Sequence, residues 1–308
     1  MLSYFQSIVI GLIQGVTELF PISSLGHSVL LPAVMSKVFH LHSWDPLVKS
    51  QTASESFYLA FLVGLHVATA IALLIFFRQD WVRIIRGFFS SFRKRRIETS
   101  DERMAWLLVC TTVPVGVIGL LFEHSLRTVF AKPTAAAVFL AINGVLLLAG
   151  ERVRKRTEVR ELARASAQEG SGGSGPEEGR ELETLALSEG GIIGSSQILA
   201  LFAGISRSGV SMVGGLLRGL NHEDAARFSF LMATPIILAA GVYKLPDLTG
   251  PNGDGIRGQV LVGALFAGVA AYASVRFLVK YFETKTLTPF GIYCLVVGIA
   301  LTVRFGFF

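Results

Sequence analysis

Residues 14–27 read Gln-Gly-Val-Thr-Glu-Leu-Phe-Pro-Ile-Ser-Ser-Leu-Gly-His, and residues 197–210 repeat this pattern in altered form as Gln-Ile-Leu-Ala-Leu-Phe-Ala-Gly-Ile-Ser-Arg-Ser-Gly-Val. At one constant offset the two copies share a glutamine, an isoleucine, a serine and a glycine. Each copy interrupts an apolar helical run, at Pro21 or at Gly204, and continues with small polar residues. Paired interruptions of hydrophobic segments are typical of a binding site at the interface of two repeats inside a membrane.

The composition is that of a membrane protein. Of the 308 residues, 52% are hydrophobic and only 16% are charged, whereas about a quarter are charged in a typical soluble protein. Five runs of about 17 to 21 residues without Asp, Glu, Lys or Arg are long enough to cross a bilayer as helices. These runs are 57–77, 104–122, 133–150, 258–275 and 287–303, and residues 228–243 are a sixth, shorter candidate. The sequence therefore predicts an all-α polytopic membrane protein with six transmembrane helices.

The net charge of +6 is concentrated in two loops. Basic residues crowd the segment from Arg78 to Arg103 and the segment from Arg152 to Arg164. The positive-inside rule places both loops in the cytoplasm, and the two spans between them make the assignments consistent. We expect acidic membrane lipids to be neighbours of these loops, and nothing in the charge pattern indicates a nucleic-acid partner.

The chain divides into two halves of similar plan. Residues 151–189 are charged and then rich in Gly, Ser and Glu, which predicts a flexible cytoplasmic linker. The linker separates repeat halves 1–150 and 190–308 of a single integral membrane domain, residues 1–308. Each half contains one interrupted segment followed by three spans.

The interrupted segments, about 3–35 and 190–218, could each cross the bilayer, but re-entrant helical hairpins are favoured. Non-helical backbone at that depth persists only when protein covers it or when it lines a wet cavity. Because three spans separate the two hairpins, they enter from opposite faces and form an inverted repeat. With the basic loops inside, the first hairpin opens to the outer face, and both termini lie outside.

Glu18 is the only carboxylate among the first 44 residues, and Gln14 lies one helical turn before it on the same face. A carboxylate in an apolar stretch is costly, so it should face a cavity or bind a partner. Ser24 and His27 are three residues apart, which suits a nucleophile beside a base. The alternatives are a structural hydrogen bond for Glu18, and a helix cap or a polar contact for the serine and histidine.

Arg207 lies deep in the second interrupted segment, flanked by Ser206, Ser208 and Gly209. Its guanidinium matches phosphate or carboxylate oxygens through two parallel hydrogen bonds. A helix that begins after each interruption would add unpaired amides and a positive dipole end. The positive charge of Arg207 and of the two helix ends exceeds the negative charge of Glu18. This excess predicts a multiply charged anionic ligand, and phosphate fits. The alternative is an internal salt bridge between Arg207 and Glu18 alone.

Three further polar residues lie within apolar segments. His66 is interpreted as a hydrogen-bonded core histidine rather than a catalytic one. Gln197 is expected to form a hydrogen bond within the second hairpin, and Asn143 is expected to be a packing residue.

These motifs resemble those of the undecaprenyl-diphosphate phosphatases of the bacitracin-resistance type. Residues 14–27 are similar to the family's (Glu/Gln)-x-x-x-Glu…Pro-x-Ser-Ser-x-Gly-His element, and residues 204–209 to its Pro-Gly-x-Ser-Arg-Ser-Gly element. Residues 227–235 resemble the Phe-Ser-Phe-Leu…Pro stretch that follows. The resemblance covers nearly the whole chain except the linker.

The resemblance implies hydrolysis of undecaprenyl diphosphate in the bacterial plasma membrane, with a divalent cation, Mg²⁺ or Ca²⁺, assisting. The implied catalytic residues are Glu18, Ser24, His27 and Arg207. The expected substrate-binding residues are Gln14, Ser23, Gly26, Ser206, Ser208 and Gly209, and the expected metal ligands are Glu18 and Gln14. Three positions depart from the family pattern: Gln14 where Glu is frequent, Leu25 beside the serine pair, and Ala203 in place of Pro.

A lipid flippase or a secondary transporter is the main alternative, because broken helices in inverted repeats are widespread in transporters. Transport does not require that the two copies carry different motifs. The Ser-Ser-x-Gly-His of one copy and the Ser-Arg-Ser-Gly of the other therefore favour an enzyme. A non-catalytic scaffold would leave Arg207 and Glu18 without a ligand. The sequence leaves a homo-oligomer open.

Overall fold

The structure, a computed structural model, describes residues 2–51, 56–130, 132–168, 180–250 and 253–307. Across these ranges the chain forms twelve α-helices and no β-strand. The first six are α1 (Tyr4–Thr17), α2 (Ser24–Lys37), α3 (Asp45–Ser50), α4 (Phe57–Phe76), α5 (Arg78–Lys94) and α6 (Ser100–Phe130). The others are α7 (Pro133–Gln168), α8 (Leu187–Ser196), α9 (Arg207–Leu216), α10 (His222–Thr249), α11 (Arg257–Phe282) and α12 (Thr288–Phe307).

Six helices of the described chain are long and apolar enough to cross a membrane, which confirms the six predicted spans. They are α4, α6, α7, α10, α11 and α12. The span predicted at 228–243 is longer than expected, because α10 begins at His222. The Asn221 side chain caps this helix by accepting from the Asp224 amide, and acidic residues in the first turn suit the helix dipole.

The two interrupted segments break where the sequence predicted. Helix α1 ends at Thr17, and α2 begins at Ser24, beyond Pro21. Each of these helices has 14 residues and is about 21 Å long, short of the roughly 30 Å hydrocarbon core. In the second segment α8 is followed by a 3₁₀ turn, and the chain then reverses at Gly204, whose φ of 115° favours glycine.

In each interrupted segment a hydrogen bond connects a residue near the start of the segment to a residue just beyond the end of the segment. The Gln6 side chain in α1 donates to the Ser43 carbonyl beyond α2, at 2.9 Å. The Arg180 amide before α8 donates to the Gly219 carbonyl beyond α9, at 2.8 Å. The start and the end of each interrupted segment therefore lie close together.

Small residues allow two helix pairs to pack closely. A Cβ atom on Gly15 of α1 would lie 2.3 Å from the Ala267 carbonyl oxygen of α11. A Cβ atom on Gly298 of α12 would lie 2.4 Å from the Ala141 amide nitrogen of α7. Close backbone approach at small residues is the usual basis of helix association in membranes. These contacts hold α1 against α11 and α7 against α12.

The segment predicted as a linker, 151–189, is helical over part of its described residues. Helix α7 continues to Gln168 because the segment is rich in Arg, Glu and Ala, which favour helix. Leu182 and Leu185 are fully buried just before α8. The Gly/Ser-rich stretch 170–175 lies outside the described residues, and its flexibility stays a prediction.

Candidate active site

The two interruptions meet each other through matching helix caps. Ser23 caps α2 by accepting from the Gly26 amide at 3.1 Å, and Ser206 caps α9 by accepting from the Gly209 amide at 3.1 Å. These four residues are among the positions shared by the two sequence copies. The Gly204 amide of the second interruption also donates to Ser23 Oγ, at 3.2 Å. The repeated sequence thus forms the same serine cap twice, although the backbone differs, with φ of 72° at Ser23 and −86° at Ser206. The two copies also contact each other.

Asn143 of α7 ties both interruptions to the helix bundle. Its Nδ2 donates to the Pro21 carbonyl at 3.0 Å, and its Oδ1 accepts from the Ser206 amide at 3.0 Å. A further bond runs directly across the joint, from Ser208 Oγ to the Phe20 carbonyl at 3.2 Å. The sequence indicated only a packing role for Asn143, whereas its amide satisfies backbone groups that the interruptions leave unpaired.

Glu18 is the centre of a buried polar cluster and is only 7% exposed. One carboxylate oxygen, Oε2, accepts from Ser24 Oγ at 2.6 Å and from Gln14 Nε2 at 2.9 Å. The other oxygen, Oε1, accepts from Arg207 Nη2 at 3.3 Å. The structure therefore brings together four of the predicted site residues, and the carboxylate pairs with the arginine of the opposite sequence copy.

His66 of α4 belongs to the same cluster, with its Nε2 at 3.4 Å from Glu18 Oε2. Its Nδ1 is 2.8 Å from the Leu62 carbonyl, which can only accept, so Nδ1 carries a proton. The imidazole therefore presents Nε2 to the carboxylate, and a protonated ring would form an ion pair there. Its position in an apolar span favoured a core histidine, and this contact with Glu18 was not predicted. A histidine inside a membrane span is rare enough to be a functional signal by itself.

His27 lies elsewhere than the sequence suggested. Its Nδ1 is 2.8 Å from the Ser23 carbonyl, and its Nε2 is 2.8 Å from the Tyr293 hydroxyl of α12. Because the carbonyl accepts from Nδ1, Tyr293 donates to Nε2 when the ring is neutral. The predicted Ser24–His27 pair is replaced by the bond from the Ser24 hydroxyl to Glu18.

The other predicted substrate-binding residues are buried at the joint between the interruptions. They are Ser23, Gly26, Ser206, Ser208 and Gly209. The three serine side chains already bond within the protein, and the two glycines donate their amides to the caps. Their direct role is to build the joint that positions Glu18 and Arg207, and substrate contact stays a prediction.

The residues beside Glu18 partly suit a divalent cation. Gln14 Oε1 is buried and has no hydrogen-bond partner among the described residues. An orphaned amide oxygen next to a carboxylate is a donor set that hard cations accept. Across the described chain there is no group of three or more His, Cys, Asp or Glu that could hold a metal ion. A cation at Glu18 and Gln14 would therefore need further oxygens from substrate or water.

The fold and the site define a polytopic helical membrane protein whose buried polar centre is assembled from two interrupted helical segments. The chain belongs to the bacitracin resistance protein BacA family, whose family model matches residues 7–300. This result confirms the resemblance seen in the sequence.

Similar proteins cover almost the entire chain. Undecaprenyl-diphosphatase 2 of Frankia alni is 57% identical over 99% of this chain and 98% of that protein. Undecaprenyl-diphosphatase of Mycolicibacterium paratuberculosis is 56% identical over 96% of this chain and 95% of its own length. Undecaprenyl-diphosphatase 2 of Chromobacterium violaceum is 42% identical over 96% of both chains.

Proposed function

We propose that this protein is an integral membrane phosphatase that hydrolyses undecaprenyl diphosphate to undecaprenyl phosphate and inorganic phosphate. The reaction recycles the lipid carrier of cell-wall synthesis and confers bacitracin resistance. The observation that carries the proposal is the convergence of Ser24, Glu18 and Arg207 in a chain whose relatives over almost its whole length are named undecaprenyl-diphosphatases. A flippase or transporter is not favoured, because those relatives carry the name of an enzyme.

Ser24 is the proposed nucleophile and Glu18 its general base. A serine that donates a short hydrogen bond to a buried carboxylate has the arrangement of an activated nucleophile. As Ser24 Oγ bonds to the terminal phosphorus, its proton moves to Glu18, and the bond from phosphorus to the bridging oxygen breaks. Undecaprenyl phosphate leaves as an anion. Water then attacks the phosphoserine, inorganic phosphate leaves, and the serine recovers its proton.

Arg207 is the proposed diphosphate-binding residue. Its long 3.3 Å bond to Glu18 and its 3.4 Å bond to the Ser229 carbonyl leave the guanidinium able to engage phosphate oxygens. The leaving group is already a stable anion, so stabilisation of charge on the transferred phosphoryl group outweighs acid catalysis. His66 contacts the Glu18 oxygen that accepts from Ser24, and Arg207 contacts the other oxygen, so these contacts orient the carboxylate toward Ser24.

Glu18 and Gln14 are the proposed residues that would hold a divalent cation, Mg²⁺ or Ca²⁺. The cation would neutralise charge on the diphosphate oxygens. The orphaned Gln14 Oε1 supports this assignment. Because Gln14 is neutral, the protein supplies a single negative charge to the ion.

The two interrupted segments are proposed to be re-entrant hairpins of an inverted repeat. The closed ends of both hairpins support this, and so does α11, whose 26 residues are about 39 Å long. The start of α11 bonds to the first hairpin, because Gln259 Nε2 donates to the Leu2 carbonyl. Beyond the other end of α11, the Leu287 amide donates to Glu151, which binds His222 next to the second hairpin.

The first hairpin is proposed to open to the outer face of the plasma membrane, with both termini outside. The basic residues near α5 and at the end of α7 support this through the positive-inside rule. A cysteine replacing Arg156 should react with an impermeant maleimide only after the membrane is permeabilised, and reaction in intact cells would reverse the orientation. A homo-oligomer stays a prediction.

The proposal is tested by phosphate release from undecaprenyl diphosphate with purified protein in detergent. Glu18→Gln and Arg207→Gln should each lower kcat/KM by about 10²–10³-fold, because each removes a charge that acts on the transferred phosphoryl group. The exposed Glu98→Gln variant is the matched control and should retain activity. Near-normal turnover in either site variant, with a native-like melting temperature, would overturn the proposed roles. Turnover in detergent, where no gradient exists, also separates the enzyme from a coupled transporter.

A further inference from the structure

Helix α5 lies outside the six candidate spans and has an unusual surface. One face is buried, at Ile84, Gly87 and Ser91. This face packs on the start of α6, where Trp106 Nε1 donates to Ser91 Oγ at 2.9 Å. A Cβ atom on Gly87 would lie only 2.7 Å from the Asp101 carbonyl carbon. Helix α5 is therefore held rigidly against the bundle by one side.

A second face of α5 is apolar and exposed. Val82, Ile85, Phe89 and Phe92 follow helical spacing and are between 47% and 68% exposed. Beside this apolar stripe lies a third, basic face, which includes Arg83, Arg86 and Arg93. A helix with an exposed apolar stripe next to a basic face is typical of helices that lie in the membrane interface.

The apolar stripe leads to a cleft at the carboxyl end of the helix. The chain leaves α5 at Arg95 in a left-handed conformation, with φ of 57°. The following turn, α6 and the start of α8 line an open cleft with a volume of about 720 Å³. The lining combines two guanidinium groups with aromatic and aliphatic side chains, and includes Phe92, Arg95, Arg96, Trp106 and Leu187.

The two arginines of the cleft differ from the basic residues around them. Lys94 binds Glu102 at 3.2 Å and Glu98 at 3.3 Å, and these bonds raise its pKa. Arg83 is paired with Asp80. Within the described part of the chain, Arg95 and Arg96 have neither an ion pair nor a side-chain hydrogen bond. Two free guanidinium groups above an apolar wall are complementary to a phosphate that carries apolar chains.

We propose that this cleft binds the headgroup of an anionic phospholipid, with the acyl chains lying along the exposed stripe of α5. Arg95 and Arg96 bind the phosphate, and Trp106 and Phe92 contact the glycerol and the first acyl carbons. A free phosphate ion would leave most of the lining without a partner. The site is separate from the polar centre at Glu18, so the proposal does not depend on the proposed reaction. Because Leu187 begins α8, a bound lipid also fastens the second hairpin to α5 and α6.

The test measures retention of phosphatidylglycerol by native mass spectrometry and the melting temperature of the purified full chain in detergent. Phosphatidylglycerol should be retained and should raise the melting temperature, whereas phosphatidylcholine and inorganic phosphate should not. The Arg95→Gln/Arg96→Gln variant should bind phosphatidylglycerol at least about tenfold more weakly, because two charge-assisted bonds are lost. Phe92→Ala should weaken binding without affecting folding, since this side chain is largely exposed.

The matched control is Arg156→Gln/Arg160→Gln, which removes the same charge from exposed positions of α7 outside the cleft. The control should retain phosphatidylglycerol like the unmodified protein, and both double variants should keep their phosphate release in detergent. Equal loss of phosphatidylglycerol from the two double variants would show that retention depends only on net charge, and would overturn the proposed lipid site. Equal binding of phosphatidylcholine, or equal stabilisation by inorganic phosphate, would also overturn it.

Discussion

Ser24 and Glu18 lie on opposite sides of the first interruption, and the serine hydroxyl donates to the carboxylate at 2.6 Å. The chain reversal at Pro21 brings the first residue of α2 back over the end of α1. The hydrogen-bond acceptor of this serine is therefore a carboxylate and not the histidine three residues later. A buried hydroxyl–carboxylate bond of this length is charge-assisted and strong.

Removal of the Ser24 hydroxyl should abolish covalent turnover. We expect Ser24→Ala to lower kcat at least about 10³-fold, because the nucleophile and its bond to Glu18 are both lost. Rapid quenching of the unmodified protein should trap a phosphoserine at Ser24, detectable by mass spectrometry of the peptide. Substantial activity in Ser24→Ala would instead assign the attack to water.

The two histidines should have different effects on turnover. Nε2 of His66 faces Glu18, whereas both ring nitrogens of His27 are engaged by Ser23 and Tyr293. We expect His66→Gln to lower kcat about tenfold, because the contact that orients the Glu18 carboxylate is lost. The matched variant His27→Gln should lower kcat less, and an unchanged kcat in His66→Gln would contradict the role.

Introducing a carboxylate at position 14 should strengthen cation binding. Gln14 Oε1 is buried without a partner beside Glu18, and a second carboxylate would add one negative charge to the same place. In Gln14→Glu we expect half-maximal activation at roughly tenfold less Mg²⁺. Direct binding of Mn²⁺, measured by electron paramagnetic resonance, should tighten in parallel. Activity that is insensitive to chelators in both proteins would exclude the cation.

Asn143 should matter more for stability than for chemistry. Asn143→Ala would leave the Ser206 amide buried without a partner, which costs about 1–3 kcal/mol, and would leave the Pro21 carbonyl with only the long 3.9 Å bond from the Cys294 thiol. We expect a clearly lower melting temperature in detergent and a loss of activity that follows the unfolded fraction. Gln79→Ala, which removes an exposed amide from α5, is the control and should melt like the unmodified protein.

The interruptions could be read from the sequence because they depend on neighbouring residues, and the serine caps that the structure adds are equally local. A proline or glycine breaks the helix locally, and Ser23 and Ser206 each accept from an amide three residues ahead. The spans are local features in the same sense, since the length of an apolar run decides whether a helix can cross a bilayer. The sequence by itself therefore determined the class of protein, the six candidate spans and the positions of both breaks.

Only the tertiary structure decided which polar residues meet. The approach of α4 to the end of α1 places His66 beside Glu18, and the approach of α12 to α2 draws His27 to Tyr293. The same holds for Asn143. Its two partners lie far away in the sequence, since Pro21 is more than a hundred residues before it and Ser206 more than sixty residues after it. Sequence spacing constrains contacts only within an element, whereas these pairs depend on how separate helices pack around the two breaks.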